Sequence, residues 1–134
     1  MPHAGYSGSA YRDKDRNHII GEAPIVLKGV EFDAFAVRGV SGLLIGPLLA
    51  HILCKQIIVV RKPQEIKDNV SHSVILVESL YSRENEFKYI FVDDMTCSGN
   101  TRRSVRDAIE KAHPSAEMVG SFYYSGSNPR FSPP

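Results

Sequence analysis

At 134 residues the chain has the length of one ordinary domain, and folding at this size buries roughly two thirds of the surface that the unfolded chain exposes, so one core holds without staples. An apolar share of 43% with 23% charged residues is that of a globular protein rather than a disordered one, and no run nears the ~18 apolar residues of a membrane span. With 16 basic and 15 acidic side chains the formal net charge is +1, so nothing calls for a nucleic acid or membrane partner and any anion site must be local.

Cys54 and Cys97 form no CxxC pair and the histidines lack metal-ligand spacing, which argues against a disulfide framework or a structural zinc site. The start, Met1-Pro2-His3-Ala4-Gly5, has no apolar leader core, and the expected location is the cytoplasm.

In chain order, residues 1–22 are rich in Gly, Ser and charge without apolar periodicity, and are expected to form a loose arm. Ile25 to Val30, after Pro24, reads as a short strand. Asp33 to Val37 reads as another, running into Arg38-Gly39-Val40-Ser41-Gly42. An apolar helix follows to about Cys54, with regular helix expected from near Pro47, because proline is tolerated at a first helical position. Ile57 to Val60 is a β-branched run of the kind that fills buried parallel strands, ending at Arg61-Lys62-Pro63. A polar stretch from Gln64 to His72 comes next, then a strand at Val74 to Val77 and a turn around Ser82 to Asn85.

Tyr89-Ile90-Phe91-Val92 reads as a buried strand that delivers Asp93 and Asp94. From Thr101 to His113, Val105, Ala108, Ile109 and Ala112 fall at helical spacing, and Pro114 stops that helix. Met118 to Tyr124 is a last strand, and residues 125–134 form a Gly/Ser/Pro tail expected to be flexible. Strands alternating with helices predict one α/β domain, a mostly parallel twisted sheet flanked by helices. Ligands bind such sheets beyond the carboxyl ends of the strands, which brings the segments after Val37, Val60 and Val92 to one edge.

At that edge Cys97, Ser98, Gly99, Asn100 and Thr101 lead into a helix. Helix-start amides lack internal partners, the helix dipole favours negative charge there, and glycine lets backbone approach a phosphate. Two adjacent carboxylates repel a phosphate, so Asp93 and Asp94 must face something else, such as a cis-diol or a hydrated magnesium ion. A sugar phosphate satisfies both halves, and the competing reading is a plain strand-to-helix turn with solvated aspartates.

The run YIFVDDMTCSGNT, Tyr89 to Thr101, closely resembles the phosphoribosyl-pyrophosphate binding signature of type I phosphoribosyltransferases, with Thr96 in a usually apolar place and Cys97 an uncommon occupant of its own. The resemblance extends over roughly Asp33 to Tyr124. It implies that residues 97 to 101 anchor the 5′-phosphate. It gives Asp93 and Asp94 the ribose hydroxyls and, through water, Mg2+. Arg38, Gly39, Val40, Ser41 and Gly42 then form a pyrophosphate loop, joined by Lys62 of the Arg61-Lys62 pair. Lys67 and His72 lie where the family carries a mobile loop.

The implied reaction transfers the phosphoribosyl group to a nucleobase with release of pyrophosphate, a nucleotide-salvage type of chemistry with Asp93, Asp94, Lys62 and Arg38 as its working side chains. Relatives acting on 6-oxopurines often carry an acid at the place of Cys97, so a pyrimidine of the orotate kind or adenine is the expected acceptor. Tyr123, Tyr124 and Phe131 are candidates to stack on the base, beneath a hood that is expected to be reduced. The family also implies a homodimer. A non-catalytic sensor of phosphoribosyl pyrophosphate or a nucleotide is the alternative.

Overall fold

The computed structural model describes residues 11–61, 76–94, 99–125 and 128–134. Along the central strands, side-chain parity sorts the apolar residues into two layers. Phe35, Val37, Ile90, Val92 and Phe122 face one way, and Ala34, Ala36, Tyr89, Phe91 and Tyr123 the other.

The elements are α1 (Asp13–Val26), β1 (Ala34–Val37), α2 (Gly39–Leu53), β2 (Gln56–Arg61), β3 (Leu76–Glu78), β4 (Phe87–Asp93), α3 (Asn100–Ala112), β5 (Ala116–Tyr123) and β6 (Arg130–Ser132). They build a mixed six-stranded sheet in the order β3-β2-β1-β4-β5-β6. The four central strands are parallel, and both outer strands run antiparallel to their neighbours. Ile19 and Ala23 of α1 and Ile45 and Leu49 of α2 cover the first face. Val105 and Ile109 of α3 cover the second. Among the described residues no helix is long and apolar enough to cross a membrane.

Several expectations need correction. Asp13–Val26 is a helix rather than a loose arm, and Ile25 and Val26 end it instead of opening a strand. The charged residues of the arm lie on the solvent side, and the burial signal is confined to Ile19 and Ala23, one turn apart. Residues 130–132 of the supposed tail form β6, held by Phe131, whose ring occupies the space that a Cβ on Gly120 would need.

The helix expected from near Pro47 begins at Gly39 and runs through Pro47, which sits on its exposed side. Gly42 and Gly46 lie one turn apart against β1. A Cβ on Gly42 would meet the Val37 Cβ at 2.9 Å, and one on Gly46 would overlap the Val37 side chain. These glycines are contact points for helix on strand, and the packing of Ile45, Leu49 and Ala50 offsets the backbone hydrogen bond that proline removes.

Candidate functional site

The order in which strands are added to the sheet reverses between the parallel strands β1 and β4: from β1 the chain crosses through α2 to β2 on one side, and from β4 through α3 to β5 on the other. A crevice opens at such a switch point, outside the carboxyl ends of the two strands. Here those ends deliver Arg38 and the pair Asp93-Asp94, and the two following helices start beside them.

Each helix start is built on a glycine with a left-handed backbone, Gly39 at φ 79° and Gly99 at φ 82°, a conformation that costs other L-residues more. Among the described residues neither start has a side-chain cap, and first-turn amides of a helix are suited to an anion. The segment Gly39 to Gly42, expected as a loop, is therefore the first turn of α2. At α3, Thr101 is exposed, and Asn100 Oδ1 accepts a hydrogen bond from Arg103 Nη2 at 2.7 Å. Cys97 and Ser98, together with Met95 and Thr96, lie outside the described residues, as do Lys62, Lys67 and His72.

Asp93 is half-buried and held from three sides. The Ser41 hydroxyl and the Asp94 amide both donate to its Oδ1, each at 2.8 Å. Its carbonyl accepts the Tyr124 amide at 3.3 Å. Burial pushes its carboxyl up to about 6, with the Asp94 charge adding, while the hydrogen bonds from Ser41 and the Asp94 amide pull the other way. Like-charged neighbours of which one resists ionisation are a site that a cation would relieve. Among the described residues no cluster of three or more metal-ligating side chains exists.

The geometry of other expected residues differs. Arg38 reaches the α3 side, where its Nη1 donates to Ser104 Oγ at 2.8 Å and its buried Nε has no partner. That puts its guanidinium beside the start of α3 as well as at the end of β1. Arg61 pairs across to Glu78 at 3.7 Å, both side chains being well exposed, an ion pair of little energetic weight.

Tyr123 and Tyr124, expected against the base, belong to the core. Tyr124 is fully buried and its hydroxyl donates to the Ser41 carbonyl at 2.7 Å. Burial raises its phenol, with Asp94 and Asp93 adding. Tyr123 packs edge-on to Phe91, and Phe131 packs against the α1/α2 layer. The sequence offers Ser41 as a member of the pyrophosphate loop and gives no sign of its bond to Asp93. No local pattern signals a partner 52 positions away.

A cleft of about 580 Å³ lies at the opposite, amino-terminal edge of the parallel strands, lined by Glu31, Phe32, Lys55, Glu86, Lys88 and Glu117 among others. It is remote from the acid pair and from both helix starts, so size alone does not mark the site.

No family model and no curated protein matches the chain. Solved structures do. Adenine phosphoribosyltransferase from Thermoanaerobacter pseudethanolicus is similar with a TM-score of 0.66 at 19% identity, over 86% of this chain and 71% of that one. Orotate phosphoribosyltransferase from Aeropyrum pernix gives 0.63 at 15% identity, over 83% of this chain and 59% of that one. UMP synthase from Leishmania donovani gives 0.60 at 19% identity, over 83% of this chain but only 22% of that one. The six strands and three helices of the described residues thus have the fold of the type I phosphoribosyltransferases of the adenine and orotate kinds.

Proposed function

We propose that the chain is one phosphoribosyltransferase-like domain that transfers the 5-phosphoribosyl group from phosphoribosyl pyrophosphate to a nucleobase, with adenine or an orotate-like pyrimidine as acceptor. One observation carries this reading: two uncapped helix starts and a pair of adjacent carboxylates meet at the switch point of the sheet. A ligand with two anionic groups and a diol between them matches that layout.

In the reaction a ring nitrogen of the base forms a bond to the anomeric carbon as the carbon–oxygen bond to diphosphate breaks. The electron pair leaves on the diphosphate and the ring N–H proton is released. Asp93 and Asp94 hold the ribose hydroxyls and face the positive charge that develops on the sugar. Amides of the α3 start, with Cys97, Ser98, Gly99, Asn100 and Thr101, hold the 5′-phosphate. Amides of Gly39, Val40 and Ser41 receive the diphosphate, with Lys62 and the Arg38 guanidinium supplying positive charge. Bound through water to the acid pair, magnesium would neutralise charge on the leaving group.

A homodimer is part of the proposal. The outer side of α2 exposes Val40, Leu43, Leu48 and Ile52, an apolar stripe on a helix whose other side is already buried. A second reading, a sensor that binds the phosphoribosyl ligand without turning it over, gains support from the burial of Tyr123 and Tyr124, which leaves neither ring as a platform for a base.

Mass spectrometry of reactions with magnesium, phosphoribosyl pyrophosphate and single bases separates the two. A nucleotide formed by the intact protein and not by the Asp93→Asn/Asp94→Asn variant establishes the transferase. Magnesium-dependent binding of phosphoribosyl pyrophosphate without product from any base establishes the sensor.

A further inference from the structure

We infer that Ser41 is a positioning residue for ribose recognition: its hydroxyl, carried on the first turn of α2, fixes the Asp93 carboxylate in the orientation that receives the sugar diol. The inference rests on the phosphoribosyl reading and assigns Ser41 a side-chain role in addition to the amide that it offers to diphosphate.

An aspartate carboxylate turns about a broad, roughly two-fold torsion, so burial alone does not hold it. Two donors converge on Asp93 Oδ1, the Asp94 amide and the Ser41 hydroxyl, each at 2.8 Å. The amide belongs to the next residue and moves with Asp93. The hydroxyl comes from another element, 52 positions away, and ties the carboxylate to α2.

Ser41 is itself fixed. Its carbonyl accepts the hydroxyl of the fully buried Tyr124 at 2.7 Å, and the Tyr124 amide returns to the Asp93 carbonyl at 3.3 Å. Each of the three residues therefore bonds to the other two, closing a ring across α2, β4 and the end of β5. Next to Ser41, Gly42 lies so close to the sheet that a Cβ there would meet the Val92 carbonyl at 3.3 Å, which sets the height of the serine above the strand end. Oδ1 is committed twice, so the ligand hydroxyl is assigned to Oδ2.

The test compares wild type with Ser41→Ala, Ser41→Thr and Ser41→Cys by calorimetric titration of ribose 5-phosphate and of its 2,3-dideoxy analogue, with thermal melts as a check of folding. Losing a hydrogen bond to a charged acceptor is expected to weaken ribose 5-phosphate binding by Ser41→Ala about tenfold. The analogue should bind wild type and Ser41→Ala within about twofold of each other, because it makes no use of the carboxylate. Threonine keeps the hydroxyl and should restore affinity; cysteine, a weak donor of similar size, should behave like alanine and replaces it should alanine not fold.

Equal losses for both ligands, or no loss for ribose 5-phosphate, overturn the positioning role while leaving the phosphoribosyl reading intact. A wild type that binds both ligands equally, or neither, removes the phosphoribosyl reading and the inference with it.

Discussion

Asp93 answers two opposed demands. Folding buries it beside Asp94, which favours the neutral acid, while the proposed chemistry needs the carboxylate. Because the folded protein keeps the Asp93 proton up to about 6 and an exposed aspartate releases it near 3.8, the folded state binds more protons between those values, and stability from this group falls as pH rises through them. Asp93→Asn retains an acceptor for Ser41 and Asp94 and sheds the charge. Its melting temperature, compared with wild type, should therefore gain by a few degrees between about pH 4 and about pH 7, while ligand binding is lost. A melting difference that is flat with pH would contradict the raised carboxyl.

Gly46 gives a second residue-scale expectation: Gly46→Ala forces a methyl group into Val37 and should cost about 1–3 kcal/mol in denaturant unfolding, despite the better helix propensity of alanine. At this scale the sequence gives the position of Asp93 and Asp94, which follow four apolar strand residues and stand at the carboxyl end of β4, while their spacing alone fits a plain turn with solvated aspartates equally well. Ser41 and Tyr124 are not legible, because their roles are hydrogen bonds to residues far along the chain.

Among the elements, α3 was the most readable: its apolar residues fall on one side, and Val105 and Ile109 are the fully buried pair that results. Ile109→Ala should cost about 2–5 kcal/mol, measured by urea unfolding, for loss of burial and the cavity left behind. The α2 helix was only half readable. Its glycines and proline speak against helix locally, and the reason to keep them is the approach to Val37, a tertiary fact. The α1 helix escaped notice because two buried residues, Ile19 and Ala23, carry its attachment while its charges dominate the local composition. On the exposed side of α2, Leu43→Glu with Ile52→Glu should convert the proposed dimer to monomer in sedimentation velocity without lowering the melting temperature of the monomer.

For the whole molecule, alternating strand and helix signals were enough to place the parallel core and the edge where its strands end. They gave no direction for β3, which overlaps the strand expected at Val74 to Val77, and no sign of β6, since strand direction at a sheet margin is decided by pairing partners and not by the residues of the strand. A ligand that binds only the folded chain stabilises it by mass action. Phosphoribosyl pyrophosphate at 100 times its dissociation constant should add about 2.7 kcal/mol to unfolding, seen as a rise in melting temperature that requires magnesium and both aspartates.

The helices that begin at Gly39 and Asn100 pack on opposite faces of the sheet, so the ligand proposed for the switch point would touch the ends of both hydrophobic layers at once. It works as a rivet through a laminate. Amide protons of α2 on one side and α3 on the other should exchange more slowly together when ligand is added, and removing either anionic group of the ligand should release protection on both faces, because the two layers then open as separate cooperative units.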